Sequence, residues 1–289
     1  MSQLSSAGDA KTDRAEFIRS GVRQRFGART RQYAERATRR EAQAELLIKK
    51  VGLQPGERVL DVATGPGSAA LAAAAVVGPG ADVVATDLVP EWAELVSEGC
   101  ARAGLSNVTF RVMGAEALDL PDGSFDVALC KLGLMFVPDP VQALREMRRV
   151  LRDGGRLGVV VWSTADKVAH HNIARQALAP YFPPPPPEQR LPGPLELGEP
   201  GLIERHVAAA GFHDIQVDRQ TQEYMFEDAD EYWRQHVEPA PAGGPAALQA
   251  LPGEQREQLH QQILAALEPY RRGGKIYLPC EAIYLTATR

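Results

Sequence analysis

An apolar run that carries one acid and then turns through two glycines restricts this chain more than any other segment: Val59, Leu60, Asp61, Val62, Ala63, Thr64, Gly65, Pro66, Gly67, Ser68, Ala69, Ala70. Its continuous apolar start reads as a strand buried on both faces. Glycines in the turn let the backbone come close to a ligand, and the small residues that follow open a helix. A second apolar run, Val83, Val84, Ala85, Thr86, Asp87, comes next and ends on another acid. Strand, turn, helix and strand in this order form a crossover unit of a parallel sheet, with a nucleotide-type pocket at the carboxyl ends of the strands.

The spacing Gly65-Pro66-Gly67-Ser68-Ala69-Ala70 also satisfies the loose dinucleotide fingerprint, in which a pyrophosphate rests on the helix N-terminus. Asp61 argues against that ligand. Placed at the strand end, its carboxylate repels a phosphate and attracts an ammonium group. Asp87, twenty residues past Gly67 and followed by Leu88, stands where a carboxylate accepts hydrogen bonds from ribose hydroxyls. A ligand with a ribose, a cationic amine and no phosphate is S-adenosylmethionine.

With these residues the chain resembles the class I, Rossmann-like S-adenosylmethionine-dependent methyltransferases, nearest to the small-molecule group that includes quinone-ring enzymes. Three more blocks carry the resemblance: Gly114-Ala115-Glu116-Ala117-Leu118-Asp119-Leu120-Pro121, Ser124-Phe125-Asp126-Val127-Ala128-Leu129-Cys130, and Arg148-Arg149-Val150-Leu151-Arg152-Asp153-Gly154-Gly155. It covers roughly residues 32–163. The resemblance implies that Asp61, Ala63, Gly65, Gly67, Asp87, Leu88, Ala115, Glu116 and Lys131 surround the cofactor, with Glu116 approaching the adenine amino group. It also implies an N-terminal segment folded over the cofactor, carried here by Phe26, Gly27 and Tyr33, whose rings can face the sulfonium for roughly 0.5–2 kcal/mol. The sequence departs from the family at Ala63, where glycine is common, and at Glu116, where aspartate is common.

Period and turn signals predict strands over 58–63, 82–87, 108–112, 125–131, 156–162, 214–220 and 282–288, with helices over 68–77, 91–103, 141–151 and 201–210. The expected fold is α/β and doubly wound: a mostly parallel seven-stranded sheet with helices on both faces and a helical cap. In the resembling family the last strand is antiparallel. Residues 1–13 have little to bury and are expected to be disordered. Residues 14–289 are expected to form a single methyltransferase domain, with N-terminal helices in 14–51 and cap elements at 164–200 and 221–275. The cap contains a run of five prolines, Pro183 to Pro187. It is expected to form an apolar acceptor pocket against the carboxyl edge of the sheet.

A net charge of −5 disfavours a nucleic-acid partner, which calls for a basic face. Cys100, Cys130 and Cys280 have no metal-ligand spacing and are too few for a disulfide framework, so no metal is expected. The start lacks an apolar signal region, and no apolar stretch is long enough for a membrane span. A cytoplasmic enzyme is the expectation, its partner a small-molecule methyl acceptor. Oligomeric state is not readable from the sequence.

Methyl transfer from a sulfonium is an in-line displacement that needs positioning and no covalent residue. Where the acceptor is a phenol, an enol or a ring carbon beside a hydroxyl, a general base adds about 10²–10⁴ in rate. His170 is the leading candidate for that base, with His171 beside it and His236, Tyr181 and Tyr277 weaker. DNA and many RNA or protein amino-methyltransferases carry an Asn/Asp-Pro-Pro-aromatic motif after strand four; here that position reads Cys130-Lys131-Leu132-Gly133. A macromolecule methyltransferase is therefore the second reading. A protein that binds the cofactor without transferring its methyl is the third.

Overall fold

The computed structural model describes residues 2–35, 38–240 and 244–289, with the backbone alone described at 2–11, 32, 34–35 and 38–40. In chain order the main elements are α1 (Ser2–Gly27), α2 (Thr30–Glu35), α3 (Thr38–Val51), β1 (Val59–Val62), α4 (Ser68–Val77), β2 (Val83–Asp87), α5 (Trp92–Ala103), β3 (Val108–Val112), β4 (Phe125–Lys131), α6 (Pro140–Val150) and β5 (Leu151–Trp162). They continue with α7 (Ala169–Leu178), α8 (Leu202–Ala209), β6 (His213–Phe226), α9 (Ala229–Tyr232), α10 (Pro245–Gln249), α11 (Gly253–Leu267), β7 (Arg271–Arg272) and β8 (Lys275–Thr288).

The chain divides into two compact units. The first comprises Met1–Val161, Leu191–Asp218 and Ile283–Arg289, and the second Trp162–Arg190 and Arg219–Ala282. Of the cap expected at 164–200, the part from Leu191 onward belongs to the first unit.

The first unit is built on a sheet of strand order β3-β2-β1-β4-β5-β8-β6, to which it contributes the C-terminal part of β8 and the N-terminal part of β6. β1 through β5 are parallel, as the sequence predicts, and the last strand is antiparallel, as the family resemblance implies. Two-residue β7, paired with β8 in the second unit, makes the sheet eight-stranded rather than seven-stranded. No hydrophobic pattern announces so short a strand. β1 and β4 are almost wholly buried, which explains why they read as continuous apolar runs.

Local chemistry sets several boundaries. Asp139 caps α6 by accepting from Gln142 N at 3.0 Å, Pro140 occupies the first turn, and Arg148 and Arg149 sit in the last turn beside the carbonyl end. α5 stops at Gly104, which takes the left-handed conformation at φ 65°. α1 runs through 2–13, where the sequence predicts no order. A helix needs only its own backbone bonds; among the described side chains of α1, Ile18 and Val22 are buried.

In-register neighbours of a parallel sheet point to one face, so Asp61, Leu129 and Gly158 share a face at one level. α3 and α4 cover that face. Leu47 and Val51 of α3 lie over Gly158, where an added Cβ would stand 3.0 Å from Leu47 Cδ1, and the Ala70 N–H of α4 donates to Asp61.

The second unit packs α7 against α11, with β6 and β8 residues between Arg219 and Ala282. Its interior holds the Trp162, His170, Tyr224, Phe226, Tyr232 and His236 rings. The Tyr232 hydroxyl donates to His170 O at 2.9 Å and accepts from Ala174 N at 3.0 Å.

Candidate functional site

The turn after β1 is left-handed at three positions, with φ 54° at Ala63, 54° at Gly65 and 90° at Gly67. Glycine reaches this region without cost, whereas alanine is strained there by about 1–2 kcal/mol. Gly67 has a second reason to be glycine, since an added Cβ would meet Val96 Cγ2 at 3.1 Å. With glycine at 65 and 67, the path leaves the backbone of the turn open to close approach at those two positions.

Asp61 is buried beneath this turn. Its Oδ2 accepts from the Thr64 hydroxyl at 2.6 Å and from Ala70 N at 3.0 Å. Its Oδ1 is buried and has no hydrogen-bond partner among the described residues. Desolvation raises the Asp61 pKa to about 6, opposed by the Thr64 bond and by the charge of Lys131. A buried carboxylate with one oxygen fastened and the other unsatisfied is built to meet a cationic donor.

Asp87, also buried, ends β2. Its Oδ2 accepts from Gly65 N at 2.8 Å and its Oδ1 from Val89 N at 3.0 Å. Burial again raises the pKa to about 6. The Leu88 backbone bonds the carboxylate as well, and together these contacts orient it. One side chain thereby ties the glycine turn to the end of β2, a contact that the spacing of the two motifs does not reveal.

Glu116 lies in the loop after β3. Arg149 donates to Leu118 O at 2.7 Å and Leu120 O at 2.8 Å, while Glu146 accepts from Leu118 N at 2.8 Å. Pairing with Glu146 and Asp122 raises the Arg149 pKa, and Arg149 in turn lowers that of Glu146. This brace fixes the loop, and Glu116 Oε1 accepts from Arg19 of α1 at 3.3 Å. α1 is thus held to the loop that carries Ala115 and Glu116.

Tyr33 of α2 meets Phe26 edge to face at 5.3 Å between centroids and Trp92 at 6.1 Å; Phe26 also meets Phe136 at 5.1 Å. Sequence reading missed Thr64, Trp92 and Phe136. Thr64 carried a signal, three residues after Asp61, whereas Trp92 and Phe136 join the cluster only through packing. Leu88 directly follows Asp87, and the Lys131 charge acts on Asp61.

His170 belongs to the second unit, in a buried ring cluster. Its Nδ1 lies 2.6 Å from Cys280 Sγ, and its ring stacks on Tyr224 at 4.9 Å and meets His171 at 4.1 Å and His236 at 4.9 Å. Burial pushes the Cys280 thiol up to about 12, so it remains protonated at neutral pH. Tyr277 lies under the Arg272 guanidinium at 4.3 Å. Among the described residues no group of three or more His, Cys, Asp or Glu is arranged to hold a metal, and no helix is long and apolar enough to cross a membrane.

Residues 60–159 match the family model described as a methyltransferase domain. An uncharacterized protein of Mycobacterium tuberculosis strain H37Rv is 40% identical over 118 residues, 41% of this chain and 42% of that one. A ubiquinone/menaquinone biosynthesis C-methyltransferase of Citrifermentans bemidjiense is 37% identical over 123 residues, 40% of this chain and 50% of that one. The chain spans half or less of the length of these curated relatives. The fold is similar to that of the YcgJ protein from Bacillus subtilis, 21% identical, with a TM-score of 0.57 over 85% of this chain and 97% of that one.

Proposed function

We propose that this chain is a class I S-adenosylmethionine-dependent methyltransferase, as the methyltransferase-domain match over residues 60–159 supports, and that it transfers the methyl group to a hydroxylated aromatic small molecule, on oxygen or on a ring carbon. The observation that carries the reading is the pair of buried, oriented carboxylates, Asp61 and Asp87, on neighbouring strands beside a left-handed glycine turn. The likeness over 123 residues to a protein named as a ubiquinone/menaquinone biosynthesis C-methyltransferase supports the acceptor class. Cys130-Lys131-Leu132-Gly133 after β4, with no Asn/Asp-Pro-Pro-aromatic motif, disfavours a planar amino group in a nucleic acid or protein.

Bound here, the cofactor supplies an electrophilic methyl carbon on a sulfonium. The chain's residues bind and orient. Asp87 is proposed to hold the ribose hydroxyls through charge-assisted hydrogen bonds, stronger than neutral ones. Asp61 Oδ1 takes the ammonium, Ala115 and Glu116 border the adenine, and Gly65 and Gly67 admit close approach of the backbone. Tyr33 and Lys131 complete the set. In-line alignment of the acceptor supplies most of the acceleration.

The direct test is formation of S-adenosylhomocysteine by the purified protein with phenols, naphthalenediols and reduced quinones. No turnover with any of them, together with methylation of a protein or tRNA fraction, contradicts the acceptor class.

Asp61→Asn is expected to weaken binding of S-adenosylmethionine by about tenfold, about 1.4 kcal/mol, and binding of methylthioadenosine, which lacks the ammonium, by less than threefold. Equal losses for both ligands in calorimetry reject the ammonium contact.

His170 is carried forward as the proposed general base; its Nδ1 lies beside the Cys280 thiol. His170→Ala then lowers kcat by about 10²-fold, leaves cofactor affinity within a few-fold, and recovers part of the rate at high pH where the acceptor ionises by itself. Equal kcat in mutant and wild type from about pH 6 to 9, the span around an ordinary histidine pKa, removes the role.

A further inference from the structure

Gln43 is the most anomalous polar side chain of the first unit. It is fully buried, and neither its Oε1 nor its Nε2 has a hydrogen-bond partner among the described residues. Burying an amide without partners is costly, so a chain that keeps it there has a use for it or satisfies it with something bound.

Its place in the fold says what that use is. Residues 43, 47 and 51 lie on one stripe of α3, four apart, and Leu47 and Val51 sit over Gly158 of β5. α3 ends beside the amino edge of the sheet, where Gly56 N donates to Val77 O at the end of α4, so its N-terminal turns lie toward the carboxyl edge. One helical turn back from Leu47 is about 6 Å. Two residues along a strand are about 6.6 Å. Gln43 is therefore level with Val160 of β5 and Lys131 of β4, which are in register and one step beyond Leu129 and Gly158 on the same face.

Across the sheet, Asp87 on β2 marks the ribose and Asp61 on β1 the ammonium. β4 and β5 come next in the order, and Gln43 lies over them at the edge where ligands bind. A primary amide both donates and accepts, which matches a hydroxyl group, itself donor and acceptor.

We propose that the Gln43 side-chain amide hydrogen-bonds the hydroxyl of the methyl acceptor and so sets specificity for hydroxylated over unsubstituted rings. This assignment rests on the aromatic small-molecule reading given above. It adds a residue of α3 that no sequence motif marks.

The test uses the full-length protein, Gln43→Leu and the straight-chain variant Gln43→Met, with 1,4-naphthalenediol as acceptor. For either variant that folds, the expected result is a melting temperature equal to or above wild type without ligand, because an unsatisfied buried amide has been removed. Affinity for S-adenosylhomocysteine stays within twofold. The KM for the diol, and its Kd measured by calorimetry with S-adenosylhomocysteine present, rise tenfold or more.

Unchanged diol KM and Kd alongside wild-type turnover overturn the assignment and leave the acceptor class standing. A tenfold loss of S-adenosylhomocysteine affinity also overturns it, assigning the amide to the cofactor. A wild-type protein that neither binds nor methylates the diol overturns both the acceptor class and the assignment. Failure of both variants to fold overturns it too, since the amide is then part of the core's own structure.

Discussion

Asp87→Ala lowers the affinity for S-adenosylhomocysteine by tenfold to a hundredfold, about 1.4–2.8 kcal/mol, the largest loss expected from any single side chain of the site. Two effects add. The variant loses the carboxylate proposed to accept from the ribose, and it releases Gly65 N and Val89 N, whose bonds to Asp87 join the glycine turn to the end of β2. Asp87→Asn, which keeps one acceptor oxygen, is expected to lose less. Isothermal calorimetry near pH 7.5 on variants with intact circular dichroism decides the matter, and unchanged affinity in Asp87→Ala removes the ribose assignment.

A pH dependence follows from the same burial. Asp61 and Asp87 are both raised to about 6, so each is harder to ionise in the folded protein than in the unfolded chain. Their contribution to stability is present at acid pH and is lost as pH rises through about 6. Ligand binding requires the ionised forms and should weaken as pH falls below about 6. Cofactor affinity and ligand-free stability are thus expected to move in opposite directions across this window. In Asp87→Asn the pH dependence of affinity becomes shallower; an unaltered slope shows that Asp87 does not titrate there.

Gly133→Ala is the largest stability effect expected at the site, a loss of about 1–3 kcal/mol from overpacking. The backbone of Gly133, at φ −111° and ψ −37°, is one that alanine adopts readily, so conformational strain is not the reason. The added Cβ would stand 2.4 Å from the Ala63 Cβ, 3.3 Å from Ala63 O and 3.4 Å from Cys130 Sγ. Ala63 is itself strained at φ 54°. Ala63→Gly should therefore stabilise modestly by itself, and in the double variant it should recover about 1 kcal/mol or more of the Gly133→Ala loss. Urea denaturation of the four proteins completes the cycle. Strict additivity refutes the contact. Because the two residues lie in the turns after β4 and β1, the single Gly133→Ala variant should also bind S-adenosylhomocysteine more weakly, and the double variant should regain that affinity.

Much of this architecture is legible in the amino-acid sequence. The bounds of β3, β4 and α4 coincide with those expected from the sequence, since each is a short element with one period between clear turn signals. The sequence predicts β6 at 214–220, and it runs His213–Phe226; it predicts β8 at 282–288, and the strand begins at Lys275. The extension of β8 alternates buried Ile276, Leu278 and Cys280 with half-exposed residues around Pro279, and that of β6 mixes polar residues with buried Tyr224 and Phe226; neither is a continuous apolar run, and pairing with a neighbouring strand, a nonlocal event, makes them strands. β5 begins at Leu151 rather than 156 for a similar reason, because Asp153, Gly154 and Gly155 read as a turn although the strand continues through them.

The sequence by itself determined the strand–turn–helix unit, the two acids and the choice among nucleotides, because those depend on spacing along a few dozen residues and on the sign of a charge. Tertiary structure alone decided how the side chains are held. Asp87 grips Gly65, Arg19 meets Glu116 from 97 positions away, and His170 shares a buried contact with Cys280 from 110 positions away. Ala63 leaves no room for a side chain at Gly133, and the amide of Gln43 is buried with no partner among the described residues. Hydrophobic period reports which face of an element turns inward; it does not report which distant atom that face meets, and the chemistry of a buried polar group depends on that meeting.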